Sequence, residues 1–167
     1  QTQQPRFHAA LVLGSEDATA RLAETFAPHL GAGDTLLLEG PIGAGKSHFA
    51  RALIRARLAM AGTPEEDVPS PTFTLVQTYV AGPLEIWHAD LYRLTHPDEV
   101  TELGLEEAFA TALCLVEWPD RLGPAAPPDA LTLRFAAGAA PQVRHLELKG
   151  PADWAGRLAP LLEVFDA

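Results

Sequence analysis

Apolar positions along the chain follow three spacings. Two short continuous runs, 35–38 and 113–116, predict compact apolar strands. Residues 7–13, 73–80, 84–89, 131–135 and 143–148 are further apolar runs that predict strands. Turn residues Ala81-Gly82-Pro83 between the second and third of these predict a hairpin, and the last two predict a final strand pair. Helical spacing appears in four places. Ser15 is a plausible N-cap with Glu16 and Asp17 in the first turn, followed by Leu22, Phe26 and Leu30. Phe49, Leu53, Ala56 and Met60 follow Gly45, and Gly62-Thr63-Pro64 ends that segment. Residues 97–112 predict one helix through Val100, Leu103, Leu105, Ala108 and Phe109. Trp154, Leu158, Leu161, Leu162 and Phe165 predict a last one, which Pro160 should bend or interrupt. Residues 65–70 and 121–128 read as loops. The expectation is one α/β domain over residues 1–167, with a mixed β-sheet sandwiched between helices, because hairpins make an all-parallel sheet improbable.

Composition narrows the picture. The chain has 167 residues, 47% apolar and 20% charged, the profile of a globular protein able to bury a core without staples. No stretch approaches 18 consecutive apolar residues, so no membrane-spanning helix is expected. Residues 1–8 hold no apolar run of the secretory kind. With one cysteine, Cys114, no intrachain disulfide or cysteine metal cluster forms. A cytoplasmic setting and a buried, inert thiol are the expectation. The net charge of −10 argues against unaided binding to DNA or RNA, whose phosphates are gripped by Lys and Arg. It leaves open work on RNA within a complex. Only two lysines occur, Lys46 and Lys149, and no asparagine.

One of those lysines lies in a motif. Gly40-Pro41-Ile42-Gly43-Ala44-Gly45-Lys46-Ser47 matches G-x-x-x-x-G-K-[ST] at every fixed position. In a chain of this composition the match arises by chance about once in a thousand, and it lies between an apolar strand and a helix, where its mechanism needs it. The glycines let successive backbone N–H groups turn toward phosphate oxygens, and the helix start adds its positive end. Lys46 is expected on the β- and γ-phosphates, the Ser47 hydroxyl on Mg²⁺, and the backbone N–H of His48 near the α-phosphate. The His48 side chain reads as an ordinary helix-surface group. The guanine-selecting Asn-Lys-x-Asp motif requires asparagine, so the nucleotide is expected to be ATP.

Magnesium chemistry needs carboxylates near Ser47. Glu117 follows the 113–116 strand and Asp90 follows 84–89, which puts both at the ligand edge of an α/β sheet. Either holds Mg²⁺ directly, through water, or orients an attacking water; the spacing does not divide those roles. Ser70-Pro71-Thr72-Phe73-Thr74 falls where nucleotide-sensing loops sit, or is simply a Pro-led turn into a strand. Trp118 is open between a packing residue and a neighbour of the nucleotide.

Four segments together resemble the TsaE (YjeE) family: GAGKS at 43–47, SPTFTLV at 70–76, HADLYR at 88–93 and LVEWP at 115–119. The resemblance runs from about Leu13 to Arg121, and the stretch after Pro124 carries none of its signatures. It implies a small P-loop ATPase, weak alone, that works with TsaB and TsaD to make N6-threonylcarbamoyladenosine at position 37 of tRNAs. The tRNA would be met only through the complex. By position it implies phosphate and Mg²⁺ roles for Lys46 and Ser47, magnesium-site acids at Glu117 and Asp90, a switch-like loop with Thr72, and a nucleotide contact near Glu16. Ser47 stands where Thr is common, and the hydroxyl is kept. A small-molecule kinase is the rival reading. It would need a lid of several arginines, whereas Arg121 stands alone before a Pro/Ala-rich stretch. A nucleotide-sensing module without turnover is a second rival, and the paired acids speak against it.

Overall fold

The computed structural model describes residues 6–63, 68–71, 74–96 and 98–165. Seven strands form one sheet in the order β1-β7-β6-β2-β5-β4-β3. They are β1 (Arg6–Leu13), β2 (Thr35–Glu39), β3 (Val76–Ala81), β4 (Leu84–Asp90), β5 (Leu113–Glu117), β6 (Leu131–Ala137) and β7 (Arg144–Pro151). The strands β4, β5, β2 and β6 run parallel, while β3 and β7 are antiparallel to their neighbours, so the sheet is mixed as the hairpins require. The helices are α1 (Glu16–Phe26), α2 (Lys46–Met60), α3 (Glu99–Leu103), α4 (Leu105–Thr111) and α5 (Asp153–Val164).

Strand alternation divides the core between the two faces. Leu36 and Leu38 of β2, Leu113 and Leu115 of β5, and Leu133 and Phe135 of β6 pack with α1, α2 and α5. Leu37, Ala89 and Val116 point the other way, onto Val100, Leu105 and Leu122. Alternate residues of a strand face opposite sides, so the short apolar runs are buried on both. The α2 face is anchored by a chain of edge-on rings. Phe49 lies 6.3 Å from Phe26 and 5.8 Å from Phe135, centroid to centroid. Ser15 caps α1 by accepting the Ala18 N–H at 3.0 Å. Arg157 of α5 makes two 2.7 Å bonds to Asp34, tying α5 to the turn that enters β2.

Four expectations are corrected. The helix predicted over 97–112 is two, α3 and α4, broken at Gly104. Gly104 is the C-cap of α3 with φ +82, a left-handed turn at which glycine is at ease. The strand predicted from 73 pairs only from Val76, because Thr74 lies in a turn and Leu75 is itself left-handed at φ 67. The loop predicted at 121–128 is partly wound into 3-10 turns over Pro119–Ala125. Pro160 does not interrupt α5. Gly156, whose carbonyl loses its donor, is exposed, so water can take that place.

Leu53 of α2 is fully buried against the sheet. Leu53→Ala is expected to lower the unfolding free energy by about 2–5 kcal/mol, read as a lower denaturant midpoint at unchanged slope.

Candidate functional site

The geometry begins where β2 ends. Its register sets Leu38 beside Glu117 of β5 and Glu39 beside Arg134 of β6, so the loop after β2 rises between two parallel neighbours. Gly40, Gly43 and Gly45 all have positive φ, at 139, 80 and 105. At Gly40 the requirement is steric as well, since a Cβ would lie 2.5 Å from the Phe135 carbonyl oxygen. The loop is held by Arg144 at the start of β7, a residue on the cleft wall. Its Nε donates to the Ala44 carbonyl at 3.0 Å and its Nη2 to the Gly43 carbonyl at 3.0 Å. The Gly43 and Ala44 carbonyls are turned to Arg144, and the Ala44 N–H donates to the Pro41 carbonyl at 3.2 Å, so an anion in this loop would meet the neighbouring amides, with the Ala44 N–H available only by giving up that bond.

Lys46 opens α2 and is buried, at 4% exposure. Its ammonium donates to the Gly40 carbonyl at 2.5 Å and lies 3.6 Å from the centroid of the Trp118 ring, a cation–π contact. Trp118 takes this position through a left-handed backbone, φ 59, and packs on Tyr92 at 4.9 Å. Burial holds the Lys46 ammonium below its ordinary pKa of 10.5, and the carboxylates of Glu117, Asp90 and Asp120 pull it partly back.

Across the cleft, Asp90 and Glu117 are register partners at the ends of β4 and β5. Both are buried, at 6% and 2% exposure. Ser47 donates its hydroxyl proton to Glu117, 2.8 Å from Oε2 and 2.9 Å from Oε1. Because that single proton is committed to the carboxylate, the lone pairs of the Ser47 oxygen remain for a metal. Asp90 accepts the Tyr92 N–H at 3.0 Å. Together these groups line a cleft of about 460 Å³. Among the described residues no cluster of three or more His, Cys, Asp or Glu side chains forms a metal site by itself. One hydroxyl and two carboxylates match Mg²⁺, which takes one or two carboxylates and completes its shell with phosphate and water.

The sequence-predicted residues are largely assembled here. Gly43, Gly45, Lys46, Ser47, His48, Glu16, Asp90 and Glu117 all lie on the cleft wall. Gly40 and Ala44 sit behind it, in contact with Lys46 and Arg144 through their carbonyls. The His48 ring donates its Nε2–H to the Glu16 carbonyl at 2.9 Å, which ties the starts of α1 and α2 together. Thr72 lies outside the described residues. Cys114 is fully buried, and burial pushes its thiol up to about 12, so it is inert.

Three further groups were missed. Arg144 and Arg51 both line the cleft. Nothing in the local pattern around Arg144 marks a contact made across 100 residues. His88 is wholly buried, with Nε2 2.7 Å from Glu117 Oε2. A signal for it existed: His88 precedes Asp90 by two residues in a strand, and such residues share a face.

The family model described as "Threonylcarbamoyl adenosine biosynthesis protein TsaE" matches residues 13–145. The "tRNA threonylcarbamoyladenosine biosynthesis protein TsaE" of Rickettsia felis is 42% identical over 110 residues, 66% of this chain and 62% of that protein. The protein of the same name from Rickettsia bellii is 41% identical over 109 residues, 65% of this chain and 73% of its own. The matched region thus spans under two thirds of the Rickettsia felis relative. In fold the chain is similar to the crystal structure of Bacillus subtilis YdiB, with a TM-score of 0.75 at 23% identity, covering 96% of this chain and 97% of that one. No helix among the described residues is long and apolar enough to cross a membrane.

The lowered Lys46 pKa carries a pH signature. Over the interval between its folded value and 10.5, the unfolded chain binds more protons than the folded one, so stability rises with pH there. Lys46→Met is expected to lack this rise. Urea midpoints of both proteins through the alkaline range measure the difference.

Proposed function

Since this chain belongs to the TsaE family, whose model covers residues 13–145, we propose that it is the ATP-binding and ATP-hydrolysing component of the machinery that makes N6-threonylcarbamoyladenosine at position 37 of tRNA. It would work in the cytoplasm with TsaD and TsaB. The observation that carries the chemistry is the meeting of Ser47 with Glu117 at 2.8 Å, across 70 residues of chain and beside Lys46. A phosphate-binding loop alone is a binding device. Beside two carboxylates it can also hold a metal and orient water.

In this reading the amides of residues 43–48 and the Lys46 ammonium bind the phosphates. Lys46 exchanges its bond to the Gly40 carbonyl for a stronger one to phosphate oxygen. Ser47, Asp90 and Glu117 hold Mg²⁺ directly or through water, and the ion neutralises the charge of the phosphate oxygens. Whichever carboxylate is not engaged with the metal orients the attacking water. Glu16, on the cleft wall, would contact the nucleotide. The net charge of −10 fits a component that meets tRNA only through its partners, because holding the polyanion itself would need a basic surface. Hydrolysis then resets the partner complex between turnovers.

The test is phosphate release from Mg-ATP by the chain alone, then with TsaB, TsaD and tRNA. Slow release that rises with the partners is expected, and Lys46→Ala should reduce it by about 100-fold or more. Glu117→Gln should bind ATP, hydrolyse it poorly and fail to support repeated modification cycles. Brisk release indifferent to the partners, or label transferred to a small acceptor instead of water, would replace this reading with that of a small-molecule kinase or free-standing ATPase.

A further inference from the structure

His88 occupies a position that an apolar residue would fill at less cost. It lies in β4 with 0% exposure, and among the described residues its Nδ1 has no hydrogen-bond partner. Burying a polar nitrogen without a partner is unfavourable, so packing alone does not account for an imidazole here. Its one polar contact is Nε2 to Glu117 Oε2 at 2.7 Å. The backbone explains how they meet. His88 is the register partner of Leu115, and Glu117 lies two residues farther along β5 on the same face. A carboxylate has only acceptors to offer, so Nε2 carries a proton toward it.

We propose that His88 is the positioning residue for Glu117, its Nε2–H holding Oε2 so that Oε1 is presented to the Mg²⁺-nucleotide. The inference rests on the ATP-binding reading above and deepens it. The other hydrogen-bond donor seen on the Glu117 carboxylate is the Ser47 hydroxyl, bonded to both oxygens. Ser47 is itself expected to serve the metal. Without His88 the carboxylate would therefore be oriented only by a group that shares its ligand. With His88 the two oxygens differ. Oε2 takes two donors and Oε1 one, and the side chain is fixed from the sheet side, away from the cleft. Groups that hydrogen-bond a ligating carboxylate in this way tune metal affinity without touching the metal.

Three variants separate positioning from packing. His88→Gln sets an amide N–H near the place of Nε2. His88→Asn is too short to reach Glu117, and His88→Leu fills the space with no donor. Each is titrated with Mg²⁺ in the presence of a fluorescent ATP analogue, and again in EDTA. The Asn and Leu variants are expected to need about 10–100-fold more Mg²⁺ for half-maximal effect, with binding in EDTA unchanged, while Gln restores the response of the unaltered chain. If the Leu variant does not fold, the contrast of Gln with Asn carries the comparison. Nitrogen-15 spectra of the unaltered protein should show a proton on His88 Nε2. A bare Nε2, or a Gln variant no better than Asn, overturns the inference while leaving the nucleotide-binding reading intact. An unaltered chain that binds no Mg-nucleotide removes both.

Discussion

A lysine ammonium, two carboxylates and an imidazole are buried together at the ends of three adjacent parallel strands, and each depends on the others. Lys46 at 4% exposure, Glu117 at 2%, Asp90 at 6% and His88 at 0% would each be costly alone in a protein interior. As a group they are supported: Ser47 and His88 donate to Glu117, Tyr92 donates to Asp90, and Gly40 and the Trp118 ring receive Lys46. The parallel pairing of β2 with β5 and of β5 with β4 is the constraint that makes this possible. It brings three strand ends level, so residues from distant parts of the chain reach one cleft.

The rest of the fold holds that edge in place. The ring chain Phe26–Phe49–Phe135 seats α2 under the loop, and Arg144 holds the loop carbonyls from the β7 side. Among the described residues the two non-glycine residues with left-handed backbones are Leu75 and Trp118, and both adjoin the acids. The Leu75 carbonyl accepts the Asp90 N–H at 2.8 Å, and Trp118 follows Glu117 and covers Lys46. Such conformations cost on the order of 1–3 kcal/mol each and persist where their surroundings enforce them. Here they aim the backbone and the ring at the acids and the lysine.

Much of this was readable from spacing. The strand before Gly40, the helix after Gly45, and the acids closing β4 and β5 follow from local pattern, since each is a property of a few neighbouring residues. The family-like strings at 88–93 and 115–119 supply Asp90, Tyr92, Arg93, Glu117 and Trp118 to one cleft, while Thr72 and Phe73 of the string at 70–76 lie outside the described residues. The errors came where periodicity does not register how a segment ends. Helical spacing over 97–112 hid the left-handed turn at Gly104, the C-cap of α3. The apolar run from 73 hid a turn before β3, because alternation alone does not show where pairing begins.

By itself the amino-acid sequence determined the phosphate loop, the identity of its lysine and hydroxyl, the two candidate acids and the alternation that makes a two-faced sheet, all of which depend on short-range periodicity and on residue chemistry. Only the tertiary structure decided that Ser47 bonds to Glu117, that Trp118 covers Lys46, that Arg144 supports the loop from 100 residues away, and that His88 donates its Nε2–H to Glu117. Those contacts depend on strand order and register, which arise when the whole sheet assembles and leave no mark in the spacing of any one segment.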